Sequence, residues 1–386
     1  MTKRILIPAG LTAGSVVAAV LLFEIVLRVV GFSAPIWYRP DSHVGGVLRP
    51  GVEGWFKGEG RAYVRISSAG LRDREHSIEK PEGVYRVAVL GDSFSEAMQV
   101  DVKDAFWSVL GDKLTQCAYR PGKKIEVINF GVSGFGTAQE YLMLESVVMR
   151  YRPDLVLLQF MNGNDVTDNS IALNAERMRP YFLLDRRREL VLDASFVTTK
   201  VFQRQSSALM EFARSVADHS RVLQLIRAFM KNAVFPRASP DTAIEPGLNP
   251  AVLAAPRDSS WEDAWTVTEH LILAMNEYLG KRGVPLVVVT TPFAIQVHPD
   301  RQVREAEQAK LGIPDLFYPD RRIEAYVRKR GIAAIPLTYE MQRLAESGRI
   351  YFHGFPNTRM GIGHWNENGH RVAAEIIARH LCSLHF

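Results

Sequence analysis

The sequence predicts an α/β protein: a three-layer α/β/α domain on a doubly wound, five-stranded parallel sheet. Three observations carry that expectation. Short apolar runs of strand length recur at Val84–Leu90 and at residues 125–130, 154–160, 285–291 and 332–337, and near-continuous apolar runs mark strands buried on both faces. Stretches with helical spacing of apolar residues lie between them, and strands that alternate with helices form parallel sheets. The first three runs end in Gly91-Asp92-Ser93, Gly131-Val-Ser-Gly134-Phe-Gly136 and Asn162-Gly163-Asn164-Asp165. One sheet edge thus receives three polar or glycine-rich turns, and ligands bind at such an edge.

At the N-terminus, Lys3 and Arg4 precede residues 5–23, which carry no charge and are about as long as a bilayer-crossing helix. A cleaved signal peptide has a shorter apolar region with a small-residue site behind it, whereas Glu24-Ile-Val-Leu-Arg28 continues the helical pattern. Residues 1–31 therefore read as a signal anchor, with the membrane as partner of residues 5–23. The positive tail belongs in the cytoplasm, which places the protein in the inner membrane with the remaining chain facing the periplasm or exterior. Residues 32–82 are rich in Gly and Pro, with Gly45-Gly46, Pro50-Gly51, Gly58 and Gly60 and one alternating run at Tyr63-Val-Arg-Ile. They read as an extended lead-in with a short hairpin.

Residues 83–386 form the predicted α/β domain. After the Ser93 turn, a helix runs through Phe106, Val109, Leu110 and Leu114, and another through Tyr141, Leu144 and Val148 follows the second strand. The alternation lapses over about 166–262. This insertion holds a hairpin at 181–192 with Arg186, Arg187 and Arg188 at its tip, a helical stretch at 206–233 and a Pro-rich segment at 235–256; it reads as a lid or as an inert decoration. Helices are expected again at 263–282 and 319–329. A final helix runs through Val372, Ile376 and Leu381, with Asn366 as its N-cap.

The 386 residues are 47% hydrophobic and 23% charged, a globular composition. The net charge is +5, but no dense Lys/Arg block with interleaved aromatics appears, so nucleic acid is not an expected partner. Cys117 and Cys382 match no metal-ligand spacing. They are inert thiols or one disulfide, the latter if the helices they end share a face and their Cα atoms approach within about 7 Å. No cofactor and no metal is expected.

A serine where a central strand ends gains chemistry only if a base reaches it. Four separated pieces, Gly91-Asp92-Ser93, Gly134, Gly163-Asn164-Asp165 and His364-Trp365-Asn366, resemble in order the blocks of the SGNH/GDSL hydrolase superfamily. With the anchor, the chain is similar to membrane-bound bacterial members of the polysaccharide acetylesterase and O-acetyltransferase type. The resemblance implies Ser93 as nucleophile, His364 as general base, and an oxyanion hole from the Ser93 and Gly134 amides and the Asn164 side chain. It implies a serine hydrolase acting on ester-linked acyl groups, acetyl above all, of a small molecule or cell-envelope carbohydrate. The alternatives are an O-acyltransferase with the same nucleophile and a non-catalytic binding or assembly protein.

The chain departs from the family in one respect that matters. The family has an aspartate two or three residues before the histidine, where this chain has Ile362 and Gly361. A main-chain carbonyl, a distant carboxylate or Glu367 is left to orient the imidazole. Asn162 stands where the strict third block has glycine. Asp92 and Asp165 are expected to brace their turns, and His298, His353 and His370 to be structural.

Overall fold

The structure, a computed structural model, describes residues 2–174, 176–234 and 248–383. Helix α1 (Thr2–Val29) runs from the apolar stretch through Glu24 and Arg28 without a break. Its Leu11–Val29 portion is long and apolar enough to cross a membrane and is 6% buried against the rest of the protein.

The lead-in forms two antiparallel hairpins rather than one: β1 (Tyr38–Asp41) with β2 (Gly45–Leu48), and β3 (Glu53–Phe56) with β4 (Ala62–Arg65). Alternation in β4 sends Ala62 and Val64 inward and Tyr63 and Arg65 outward. The inward pair packs with Leu48, Ile66 and Met98 in a small core of its own.

Five strands make the central sheet: β5 (Val84–Leu90), β6 (Lys124–Asn129), β7 (Leu155–Met161) and, after the hairpin of β8 (Tyr181–Leu184) and β9 (Leu190–Asp193), β10 (Leu286–Thr291) and β11 (Ala333–Pro336). All neighbours are parallel in the order β11-β10-β7-β5-β6. Among these five, that is the 2-1-3-4-5 winding, in which the order reverses beside the first strand. The carboxyl ends of β5 and β7 border that reversal, where a crevice opens.

The remaining helices are α2 (Ser93–Glu96), α3 (Phe106–Gln116), α4 (Thr137–Ser146), α5 (Asp165–Asp168), α6 (Lys200–Gln205), α7 (Ala208–His219), α8 (Arg221–Val234), α9 (Ser259–Gly280), α10 (Arg301–Leu311), α11 (Tyr318–Arg328), α12 (Leu337–Gly348) and α13 (Glu367–Ser383). Val87, Val89, Leu157 and Val289 face one core, shared with Leu110 of α3, Met341 of α12 and Ile376 of α13. Ala88, Leu90, Leu158 and Val288 face the other, shared with Leu142 of α4, Leu271 of α9 and Ile323 of α11. The strand period of two thus divides the sheet between two helix layers.

Two sequence expectations change in detail. The helical stretch at 206–233 is broken by the extended backbone of Ser220 into α7 and α8, and α10 and α12 are additional helices. Most of the Pro-rich segment, residues 235–247, lies outside the described residues. Helices α3 and α13 pack side by side, and a disulfide joins Cys117 to Cys382 with their Cα atoms 6.5 Å apart.

Candidate active site

Strand β5 delivers Ser93 by stopping at a glycine. A Cβ on Gly91 would lie 2.3 Å from Gln159 Oε1 and 2.4 Å from Ser95 Oγ, so only glycine lets the chain turn this tightly. Asp92 caps the one-turn helix α2, accepting from the Phe94 amide at 3.0 Å. Ser95 Oγ donates to Gln159 Oε1 at 2.9 Å, and Trp107 Nε1 donates to the Ser95 carbonyl at 2.8 Å. The serine is therefore fixed from the strand, the helix and the neighbouring strand β7.

His364 arrives from the loop between α12 and α13. A bridge between His353 and Trp365 pins that loop, and the Gly354 amide donates to the His364 carbonyl at 2.9 Å. Phe94 packs beside the His364 ring at 5.1 Å between centroids and meets Trp365 edge-on at 5.2 Å. His364 Nε2 then lies 2.8 Å from Ser93 Oγ. The two residues stand 271 positions apart in the chain, and the fold brings them into hydrogen-bond contact.

The orienting carboxylate is Glu59, on the tip of the β3–β4 hairpin. Its Oε2 is 2.5 Å from His364 Nδ1, and its Oε1 accepts from the His364 amide at 2.8 Å. One carboxylate holds both the ring and the main chain of the histidine. Asn357, from the histidine loop, clamps the hairpin tip by accepting from the Gly60 amide at 3.0 Å and donating to the Gly60 carbonyl at 2.9 Å. Gly363 (φ +87°) makes room for the carboxylate: a Cβ there would lie 2.0 Å from Glu59 Oε1. Glu367, the sequence candidate for this role, opens α13 instead.

Gly134 and Asn164 line the same cavity as Ser93 and His364, which has a volume of about 840 Å³. Asn164 Nδ2 donates to Asp92 Oδ2 at 3.2 Å, which uses one of its two N–H groups. Asp165 braces its turn by accepting from the Met161 amide at 2.7 Å. Away from Ser93 the wall is mixed: Gln139, Asp168, Asn174, Glu176 and Arg179 are polar, Val132, Phe135, Leu173 and Met178 are apolar, and Leu248, Asn249 and Pro250 complete it. The insertion thus supplies a large part of the cavity.

Several carboxyl groups are buried around the site. Burial pushes Asp92 upward and raises Glu96 to about 7, although Tyr38 Oη donates to Glu96 at 2.7 Å. Burial, with Asp92 and Asp168 nearby, raises Glu140 well above the ordinary carboxyl range, and Asp165 rises with it. Asp168 is pushed up to about 6 by burial against the opposing pull of Arg179. The histidine bonded to Ser93 Oγ is His364, and the other candidate histidines sit in different environments. His353 and His370 are buried and driven down to about 3, and His370 Nδ1 accepts from the Phe106 amide at 3.2 Å. His298 lies in a loop, where burial lowers it. Among the described residues no cluster of His, Cys, Asp and Glu could hold a metal ion.

No protein-family model matches the chain, and no curated protein matches it. Among solved structures it is similar to the acetyl xylan esterase AlAXEase (14% identity, TM-score 0.38, 76% of this chain and 97% of that one). It is also similar to a catalytic mutant of an acetylxylan esterase from Geobacillus stearothermophilus (13%, 0.38, 78% and 96%) and to a GDSL-like lipase from Bacteroides thetaiotaomicron VPI-5482 (13%, 0.33, 77% and 87%).

Proposed function

We propose that this protein is a membrane-anchored serine esterase of the SGNH type that removes acyl groups, acetyl above all, from hydroxyls of a carbohydrate. One observation carries the proposal: the unbroken hydrogen-bonded chain Glu59–His364–Ser93 at the wall of an 840 Å³ cavity. In this reading His364 Nε2 takes the Ser93 proton as Oγ attacks the ester carbonyl, and Glu59 stabilises the imidazolium that forms. The Ser93 and Gly134 amides and the remaining Asn164 N–H meet the oxyanion. Collapse breaks the C–O bond, and the imidazolium protonates the departing alkoxide. Water then attacks the acyl-enzyme, giving its proton to His364, and a second collapse releases the carboxylate and restores the Ser93 hydroxyl.

Gln139, Asn174, Glu176 and Arg179 offer hydrogen-bond partners for the hydroxyls of a sugar, beside apolar surface from Val132, Phe135 and Leu173 on which an acyl group can pack. The bare apolar surface of α1 supports anchorage, and Lys3 and Arg4 support a periplasmic or exterior domain. The intact Glu–His–Ser chain favours an enzyme over a binding protein, because binding does not require an oriented base.

A fluorophosphonate tests the proposal. It should label Ser93, with no labelling in Ser93→Ala and much less in His364→Ala. Folded wild type that neither reacts nor releases acetate from an acetylated sugar would overturn the assignment. Transfer of a radiolabelled acetyl group to an added sugar faster than to water would identify a transferase using the same intermediate.

A further inference from the structure

We propose that α7 and α8 lie in the membrane–water interface, so that the domain rests on the bilayer through a second contact besides α1. The inference builds on the anchor reading of α1 and adds a surface that reading does not imply. On α7, Leu209, Phe212 and Val216 are exposed, the first two at 75% and 67%, and their spacing puts them on one stripe. On α8, Leu223, Ile226, Phe229 and Met230 are likewise exposed, Phe229 at 74%.

Polar residues of the same helices pack inward, although Glu211, Ser215 and His219 of α7 remain exposed. Arg214 and Gln224 are buried. Gln224 accepts from the Ala34 amide at 2.9 Å, and Arg227 donates to the carbonyls of Ala34 and Pro35 at 2.9 and 3.0 Å. This is the reverse of a water-facing surface helix, which keeps its apolar face inward.

The position of the two helices identifies what covers these stripes. Glu24 of α1 caps α8, accepting from the Arg221 amide at 2.9 Å, the Val222 amide at 3.0 Å and Ser220 Oγ at 3.2 Å. Arg28 donates to the His219 carbonyl at 2.6 Å and pairs with Glu24 at 2.8 Å. The α7–α8 junction is thus tied to α1 where the uncharged run first meets charge, the level of a bilayer surface. Beyond Glu24, α1 still exposes Ile25, Val26 and Val29, and Val30 just after it is exposed too, so the apolar surface of α1 continues beside the two stripes. A lipid surface is the occupant that meets all three. The stripes carry no charge, so a zwitterionic bilayer should suffice. Through Ala34 and Pro35, α8 also holds the chain just before Tyr38, a wall residue of the catalytic cavity.

Depth-dependent quenching tests this in the full-length chain, reconstituted into phosphatidylcholine vesicles. Bimane is placed on Phe212→Cys, Phe229→Cys and, as a water-facing control, Ser347→Cys; Cys117 and Cys382 are already paired. The labels at 212 and 229 should lose most of their emission to lipids with a doxyl group near the head of the acyl chain and be shielded from iodide, with the control behaving oppositely. Iodide-accessible labels at 212 and 229 in protein that resists carbonate extraction would overturn the interfacial contact while leaving the anchor standing. Extraction by carbonate would overturn both. Labels shielded from iodide yet untouched by doxyl lipid would mean that protein, not lipid, covers the stripes, which also overturns the proposal.

Discussion

At the scale of single residues, the site turns on Glu59. Glu59→Gln keeps an acceptor for His364 Nδ1 but loses the charge that stabilises the imidazolium, so kcat for a small acetyl ester should fall by up to about 10⁴-fold with KM little changed. Ile362→Asp, which places an acid at the family position, should leave wild-type activity nearly unchanged because Glu59 already occupies the ring; a large gain would mean the ring is not held. Gly363→Ala should act like loss of Glu59, since its Cβ meets Oε1 at 2.0 Å, and pH-rate profiles of the two variants should coincide. Asn164→Ala should lower kcat by about 10²–10³-fold if its amide meets the oxyanion. That Ser93, His364, Gly134 and Asn164 meet at one cavity was legible because strand ends and motif order mark them. Glu59 was not, because it lies 305 positions from its partner and nothing in local spacing reports so distant a contact. Its local traces are the glycines beside it and the Gly361 and Ile362 that stand where the resemblance leads one to expect an aspartate.

Among the elements, the five strands could be read because strands buried on both faces are continuous apolar runs. The hairpins of the lead-in were harder, since four-residue strands rich in glycine, such as Gly45–Leu48, carry little periodicity. The division into α7 and α8 was missed because Ser220 is a weak breaker whose extended backbone depends on Glu24, far away in sequence. The disulfide between the ends of α3 and α13 closes a span of 265 positions. Replacing both cysteines with serine should cost about 2–5 kcal/mol in urea unfolding, with fluorophosphonate labelling of Ser93 retained. Loss of labelling in the folded variant would show that the α3–α13 pairing reaches the catalytic loop.

For the molecule as a whole, the buried carboxyls predict how stability follows pH. Glu96, raised by burial to about 7, stabilises the fold fully below its unfolded value near 4.5 and loses that contribution as pH rises through 7. Burial opposes charge on His76, but Asp73 and Glu126 outweigh it and hold the ring up to about 9, so its contribution also fades as pH rises to 9. His353 and His370, lowered to about 3, act in the opposite sense and only below about 6.5. Thermal stability should therefore fall between pH 6.5 and 9, and Glu96→Gln, which keeps an acceptor for Tyr38, should flatten the lower part of that decline. A melting temperature that rises over this range would contradict the assignment. The hairpin that carries Glu59 has a practical consequence as well. A fragment starting at Gly83 would keep the five central strands, Ser93 and His364 but lose Glu59, the Asp73 carboxylate on the Asn129 amide and the carbonyls that meet buried Arg86, so turnover and stability should fall together. Supplying residues 32–82 as a separate peptide should then restore activity in a saturable way, making the catalyst a two-piece switch thrown by the segment next to the membrane.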